Sequence, residues 1–171
     1  MLDGSAKDNP EAELAADTLA RALETFPDEE EADTSSREWK DRGGVHFKAR
    51  RFGEARDCYT EALDAEMASG YAGGKAFASV LYANRSACLL ELRDPEGALL
   101  DAGRAVQMDK TNRKAFFRKG KAFIAMERHE DALDALLHAR RLADEGGDVR
   151  DPGLELLING CESKACKNGS L

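Results

Sequence analysis

An all-α fold, built from three tandem helix pairs and closed by a C-terminal capping helix, is what the sequence predicts. Three observations carry that prediction. Charged residues make up 34% of the chain and prolines number only 4, the balance of a charged helical protein rather than a disulfide scaffold or a disordered chain. The chain aligns with itself when slid by 34 residues, pairing Ala98 with Ala132, Ala105 with Ala139, Asn84 with Arg118 and Ser86 with Gly120. Cap-plus-proline pairs, Asn9-Pro10 and Asp151-Pro152, mark helix starts on either side of the repeats. At 171 residues the chain suits one domain with a continuous core.

The elements follow in order. Residues 1–35 form an acidic leader with 11 acids and 2 bases, net −9. Within it Leu14, Leu19, Leu23 and Phe26 give a helical stripe over Glu11 to Phe26, so a short amphipathic helix is expected. The following run, Asp28 to Asp33, reads as a solvated linker. The first copy of the repeat, about 36–69, contains Trp39, Gly43, Ala55, Tyr59 and Ala62. The second and third copies lie at about 79–112 and 113–146. The first starts 43 residues before the second, 9 more than the period. Glu66, Met67 and Ala68 are expected to extend the helix, Gly70, Gly73 and Gly74 to form a turn, and Lys75 to begin the next helix. Residues 147–171 hold the capping helix and tail. There Leu154, Leu157, Ile158 and Cys161 share a face at spacings of 3, 4 and 7, suited to covering the apolar edge of the third copy.

Small residues at fixed offsets have a physical reason. A helix pair cannot bury its apolar face alone, so stacked copies share a core. Gly, Ser or Ala at each crossing lets two backbones approach closely. These residues resemble the tetratricopeptide-repeat pattern, whose unit is two antiparallel helices with an early aromatic in helix A. Trp39 and Phe116 hold the aromatic position, and Gly43, Ser86 and Gly120 the small position four residues later. The resemblance covers about 110 residues and implies a right-handed superhelix whose A helices line a concave groove. An insertion between the first two repeats is common in that family.

Polar residues on the A helices are therefore the candidate site. The resemblance sharpens to the carboxylate-clamp subclass on three strings: Lys40-Asp41-Arg42-Gly43-Gly44, Asn84-Arg85-Ser86-Ala87 and Lys114-Ala115-Phe116-Phe117-Arg118. Clamp domains of this type bind the C-terminal Glu-Glu-Val-Asp of the seventy- and ninety-kilodalton heat-shock chaperones. The resemblance implies that Lys40, Asn84, Lys114 and Arg118 bind a peptide carboxylate, and the chemistry suits them. A terminal aspartate offers two carboxylates, which Lys/Arg charges and an amide donor satisfy with charge-assisted hydrogen bonds. Asn84 is the most telling member, because asparagine is a poor helix former and needs a hydrogen-bonding task to sit in mid-helix. Phe47 and Leu90, one turn further along, suit an apolar pocket for the peptide's valine and equally suit core packing. Gly44 departs from the family asparagine, which removes an amide donor. Losing one hydrogen bond to a charged group costs about 1.5–3 kcal/mol, roughly ten- to a hundredfold in affinity.

Other functions find little footing. Outside the leader the chain has 22 acids and 23 bases without a long basic run, so nucleic-acid binding is not expected. Cys58, Cys88, Cys161 and Cys166 form no CxxC pair, and His46, His129 and His138 have no zinc spacing. Reduced thiols and no metal or cofactor are expected. No signal peptide or run of eighteen apolar residues occurs, which points to a cytoplasmic protein without a membrane role. No phosphate loop or nucleophile set is present, so the chain is not expected to be an enzyme. Three readings remain: a chaperone-tail co-chaperone or adaptor, a scaffold holding a different acidic segment, and the docking domain of an enzyme whose catalytic part lies elsewhere.

Overall fold

The computed structural model describes residues 35–147 and 151–168. The expected leader helix over Glu11 to Phe26 and the acidic run Asp28 to Asp33 lie outside them. All the described regular structure is helical: α1 (Ser36–Lys48), α2 (Phe52–Ala68), α3 (Lys75–Glu91), α4 (Pro95–Met108), α5 (Arg113–Ala125), α6 (His129–Glu145) and α7 (Pro152–Asn168). Each helix packs on the next along the chain, and α5 also meets α3. The odd-numbered helices α1, α3 and α5 are the A helices, and α2, α4 and α6 the B helices.

Local chemistry fixes the helix ends. Ser35 caps α1 in a reciprocal box with Glu38, and Asp94 caps α4 by accepting from Gly97 N at 2.9 Å ahead of Pro95. Asn112 accepts from Ala115 N, and Asp151 from Gly153 N, so each satisfies an otherwise orphaned amide. The A helices all stop in one way. Arg51 N donates to His46 O, Asp94 N to Leu89 O and Arg128 N to Phe123 O, each at 2.9 Å. The residue just before each donor, Arg50, Arg93 and Glu127, is left-handed, with φ of 60°, 64° and 61°. This is a Schellman turn repeated three times on residues that carry a Cβ.

The crossing points are as tight as the repeat requires. A Cβ on Gly43 would lie 2.8 Å from the Tyr59 ring, and one on Gly120 would lie 2.6 Å from Leu136. Ser86 fits at the equivalent crossing because its hydroxyl donates to Ala98 O at 2.8 Å. On the B helices Ala55 and Ala62, Ala98 and Ala105, and Ala132 and Ala139 are all fully buried. Tyr82 holds the early aromatic position of the second pair and is buried like Phe116. One core cluster joins α1 to α5 around Tyr59, Leu63, Leu81 and Cys88. The other joins α5 and α6 to α7, with Leu154, Ile158 and Cys161 buried on the α7 face. Cys58, Cys88 and Cys161 are free, buried thiols.

Where the period breaks, α2 runs to Ala68 and α3 starts at Lys75. Buried Glu66 organises the insertion, its carboxylate accepting from the Ser36 hydroxyl and from Gly73 N. Gly70, Tyr71 and Gly74 take the positive-φ backbone of this turn, with φ of 65°, 63° and 89°.

Candidate functional site

The register distributes the expected residues over three neighbouring A helices. Lys40, Gly44 and Phe47 lie on α1, Asn84 and Leu90 on α3, and Lys114 and Arg118 on α5. Asn84, Cys88 and Glu91 share one face of α3 at spacings of 4 and 7. Arg118 sits within the electrostatic reach of both Cys88 and Glu91, so α5 presents its guanidinium to the α3 face that carries Asn84.

Arg118 is half-buried, and burial pushes its guanidinium below its ordinary value, an effect the Glu91 carboxylate partly offsets. Among the described residues it has no hydrogen bond or ion pair, only the Phe117 ring at 5.6 Å. A desolvated cation without a directly bonded anion is costly. Asn84 likewise makes no hydrogen bond with any described residue, and neither does exposed Lys114. Lys40 differs, because its ammonium lies 2.8 Å from the carboxylate of exposed Asp41. The two apolar candidates also differ from each other. Phe47 packs against the first core cluster and edge-on to Phe52, at 5.3 Å between ring centres. Leu90 is half-buried and belongs to neither cluster.

Gly44 is not a packing glycine. A Cβ there would meet only the Tyr59 hydroxyl, at 4.0 Å, in contrast to Gly43 one residue earlier. Tyr59 rises from α2 with its ring under Gly43 and its hydroxyl under Gly44. Its residue is 4% exposed, and the phenol lies within reach of Cys88 on α3 and Asp41 on α1. Burial and those neighbours push the phenol well above its ordinary value, so it stays protonated. It donates to no described residue. Sequence reasoning used Tyr59 only as a repeat marker, and its nearness to Gly44 depends on a helix crossing rather than on spacing.

Beside the candidate residues, Arg85 turns away to Asp101 on α4, with bonds of 2.7 and 2.9 Å, and reaches Thr60 at 3.2 Å. Its neighbour Asn84 takes no part in that pair. Among the described residues no group of His, Cys, Asp and Glu is arranged to hold a metal, and no helix is long and apolar enough to cross a membrane.

Comparison with known proteins agrees with the fold. No protein-family model matches the chain. A curated relative, the Hsp70/Hsp90 co-chaperone CNS1 of Saccharomyces cerevisiae, is 31% identical over 142 residues, covering 83% of this chain and 34% of that protein. The chain therefore spans about a third of that relative's length. Among solved structures, the Arabidopsis OM64 TPR domain superposes with a TM-score of 0.64 at 26% identity, over 75% of this chain and 94% of that one. The second TPR of Spaghetti (RPAP3), bound to the HSP90 peptide SRMEEVD, gives 0.56 at 28% identity, over 63% of this chain and 92% of that one.

Proposed function

We propose that the chain, which is similar to tetratricopeptide-repeat domains, is one of them and is a protein-binding module of co-chaperone type. Its groove holds the acidic C-terminal peptide of a seventy- or ninety-kilodalton heat-shock chaperone. The observation that carries this reading is Arg118, a half-buried cation that forms no hydrogen bond or ion pair with a described residue although Glu91 lies within its electrostatic reach, set against the face of α3 that bears an equally unpartnered Asn84. A carboxylate from outside the chain satisfies both groups at once through charge-assisted hydrogen bonds. Lys114, one turn earlier on α5, adds a second, exposed cation, and Lys40 is available on α1 once its ammonium leaves Asp41. Leu90 offers an apolar contact for the peptide's valine, whereas Phe47 serves the core.

On this reading the domain comprises 36–146 with its cap, and it acts by docking rather than by catalysis. The cytosol is the matching compartment, since it keeps thiols such as Cys58, Cys88 and Cys161 reduced. The test is calorimetric titration with a peptide ending in Glu-Glu-Val-Asp, as the free acid and as the C-terminal amide. The free acid is expected to bind and the amide to lose most of that affinity. Equal binding of the two overturns the proposal.

A further inference from the structure

A clamp that lacks its α1 amide donor has to find a replacement or bind weakly, and the residue beneath Gly44 supplies the replacement. Three observations converge on Tyr59. Its hydroxyl lies 4.0 Å from where a Cβ on Gly44 would stand, with nothing else near that position. It is within electrostatic reach of Cys88, which lies one turn beyond Asn84 on the α3 face toward Arg118. The residue is 4% exposed, yet its hydroxyl bonds to no described residue. That hydroxyl is not one of the fully buried polar atoms left without a partner, so an acceptor arriving at Gly44 meets an O–H donor that no described residue uses.

We propose that the Tyr59 hydroxyl, reached through the gap left by Gly44, donates the hydrogen bond to the peptide's carboxylate that a side-chain amide at position 44 would otherwise make. This rests on the acidic-peptide reading above. It assigns Gly44 a role, because any larger side chain at 44 stands between the ligand and the phenol. It also makes position 44 and Tyr59 alternatives: one donor is needed, from either the side chain at 44 or the ring beneath it.

The experiment is a four-protein cycle of wild type, Tyr59→Phe, Gly44→Asn and the double variant, titrated with the free-acid peptide and with its amide. Tyr59→Phe keeps the ring that packs under Gly43, and a thermal melt verifies its fold. The expected result is about a tenfold loss of free-acid affinity in Tyr59→Phe. Gly44→Asn should change wild-type affinity less than threefold and should return the double variant to within threefold of wild type. The inference is overturned if Tyr59→Phe binds as tightly as wild type, or if its loss is not recovered by Gly44→Asn. Wild type that fails to distinguish free acid from amide overturns the acidic-peptide reading instead.

Discussion

The Arg85 guanidinium grips the Asp101 carboxylate with two hydrogen bonds, 2.7 and 2.9 Å long, across the α3–α4 pair. The Asp101 side chain is 4% exposed and that of Arg85 17%. Breaking such a pair leaves a charge buried without its partner, which costs about 3 kcal/mol. Asp101→Ala should therefore lower the urea midpoint sharply, and Arg85→Met together with Asp101→Leu should cost clearly less than the sum of the single changes. Additive losses would mean that the two side chains act separately.

Arg118→Met should separate binding from stability. Free-acid peptide affinity should fall by at least thirtyfold, a loss of about 2 kcal/mol or more when one partner of a desolvated charge contact is removed. Stability should be unchanged or should rise by about 1 kcal/mol, because the side chain being replaced is a half-buried cation with no ion pair among the described residues. A protein that loses affinity and melts much earlier would show that Arg118 holds the fold instead.

The adjacent glycines of α1 should respond in opposite directions. Gly43→Ala forces a methyl to within 2.8 Å of the buried Tyr59 ring, and overpacking of that kind costs about 1–3 kcal/mol. Gly44→Asn meets only an ordinary 4.0 Å contact and replaces glycine in a helix interior, so it should stabilise by a few tenths of a kcal/mol, less than the ~0.5–1 kcal/mol that separates glycine from alanine because asparagine is itself a weak helix former. Thermal or urea melts of the two single variants decide the signs.

Each A–B turn holds a side chain in the left-handed region. Arg93→Gly and Glu127→Gly should each raise stability by about 0.5–1 kcal/mol, the steric relief less the entropy glycine adds to the unfolded chain. The two sites lie in different repeats, so their gains should add in a double variant measured by urea unfolding.

Much of the architecture was legible because repetition writes it into the chain. The same offsets that align Gly43, Ser86 and Gly120 place the three A helices, and Asp151-Pro152 marks where the cap begins. The left-handed turns were hidden, since Arg50, Arg93 and Glu127 lack the glycine that ordinarily signals that backbone. Only their shared register relates them. The Arg85–Asp101 pair was hidden for another reason: 16 residues separate its members, a distance with no helical meaning. At the site, spacing put Lys114 and Arg118 on one face but could not tell that Lys114 is exposed and Arg118 half-buried. Nor could it tell that Gly44 opens onto a phenol.

The buried thiols give the molecule two internal clocks. Burial pushes Cys88 up to about 12 and also raises Cys161, so neither sulfur reacts as a thiolate until its surroundings open. Cys88 belongs to the cluster under the first two helix pairs, and Cys161 to the seam between α6 and α7. In a background carrying Cys58→Ser and Cys166→Ser their alkylation rates therefore time different events, the loosening of the repeat stack and the lifting of its lid. If the terminal helix frays on its own, Cys161 is labelled first; if stack and lid open as one unit, the two rates become equal once scaled for intrinsic reactivity.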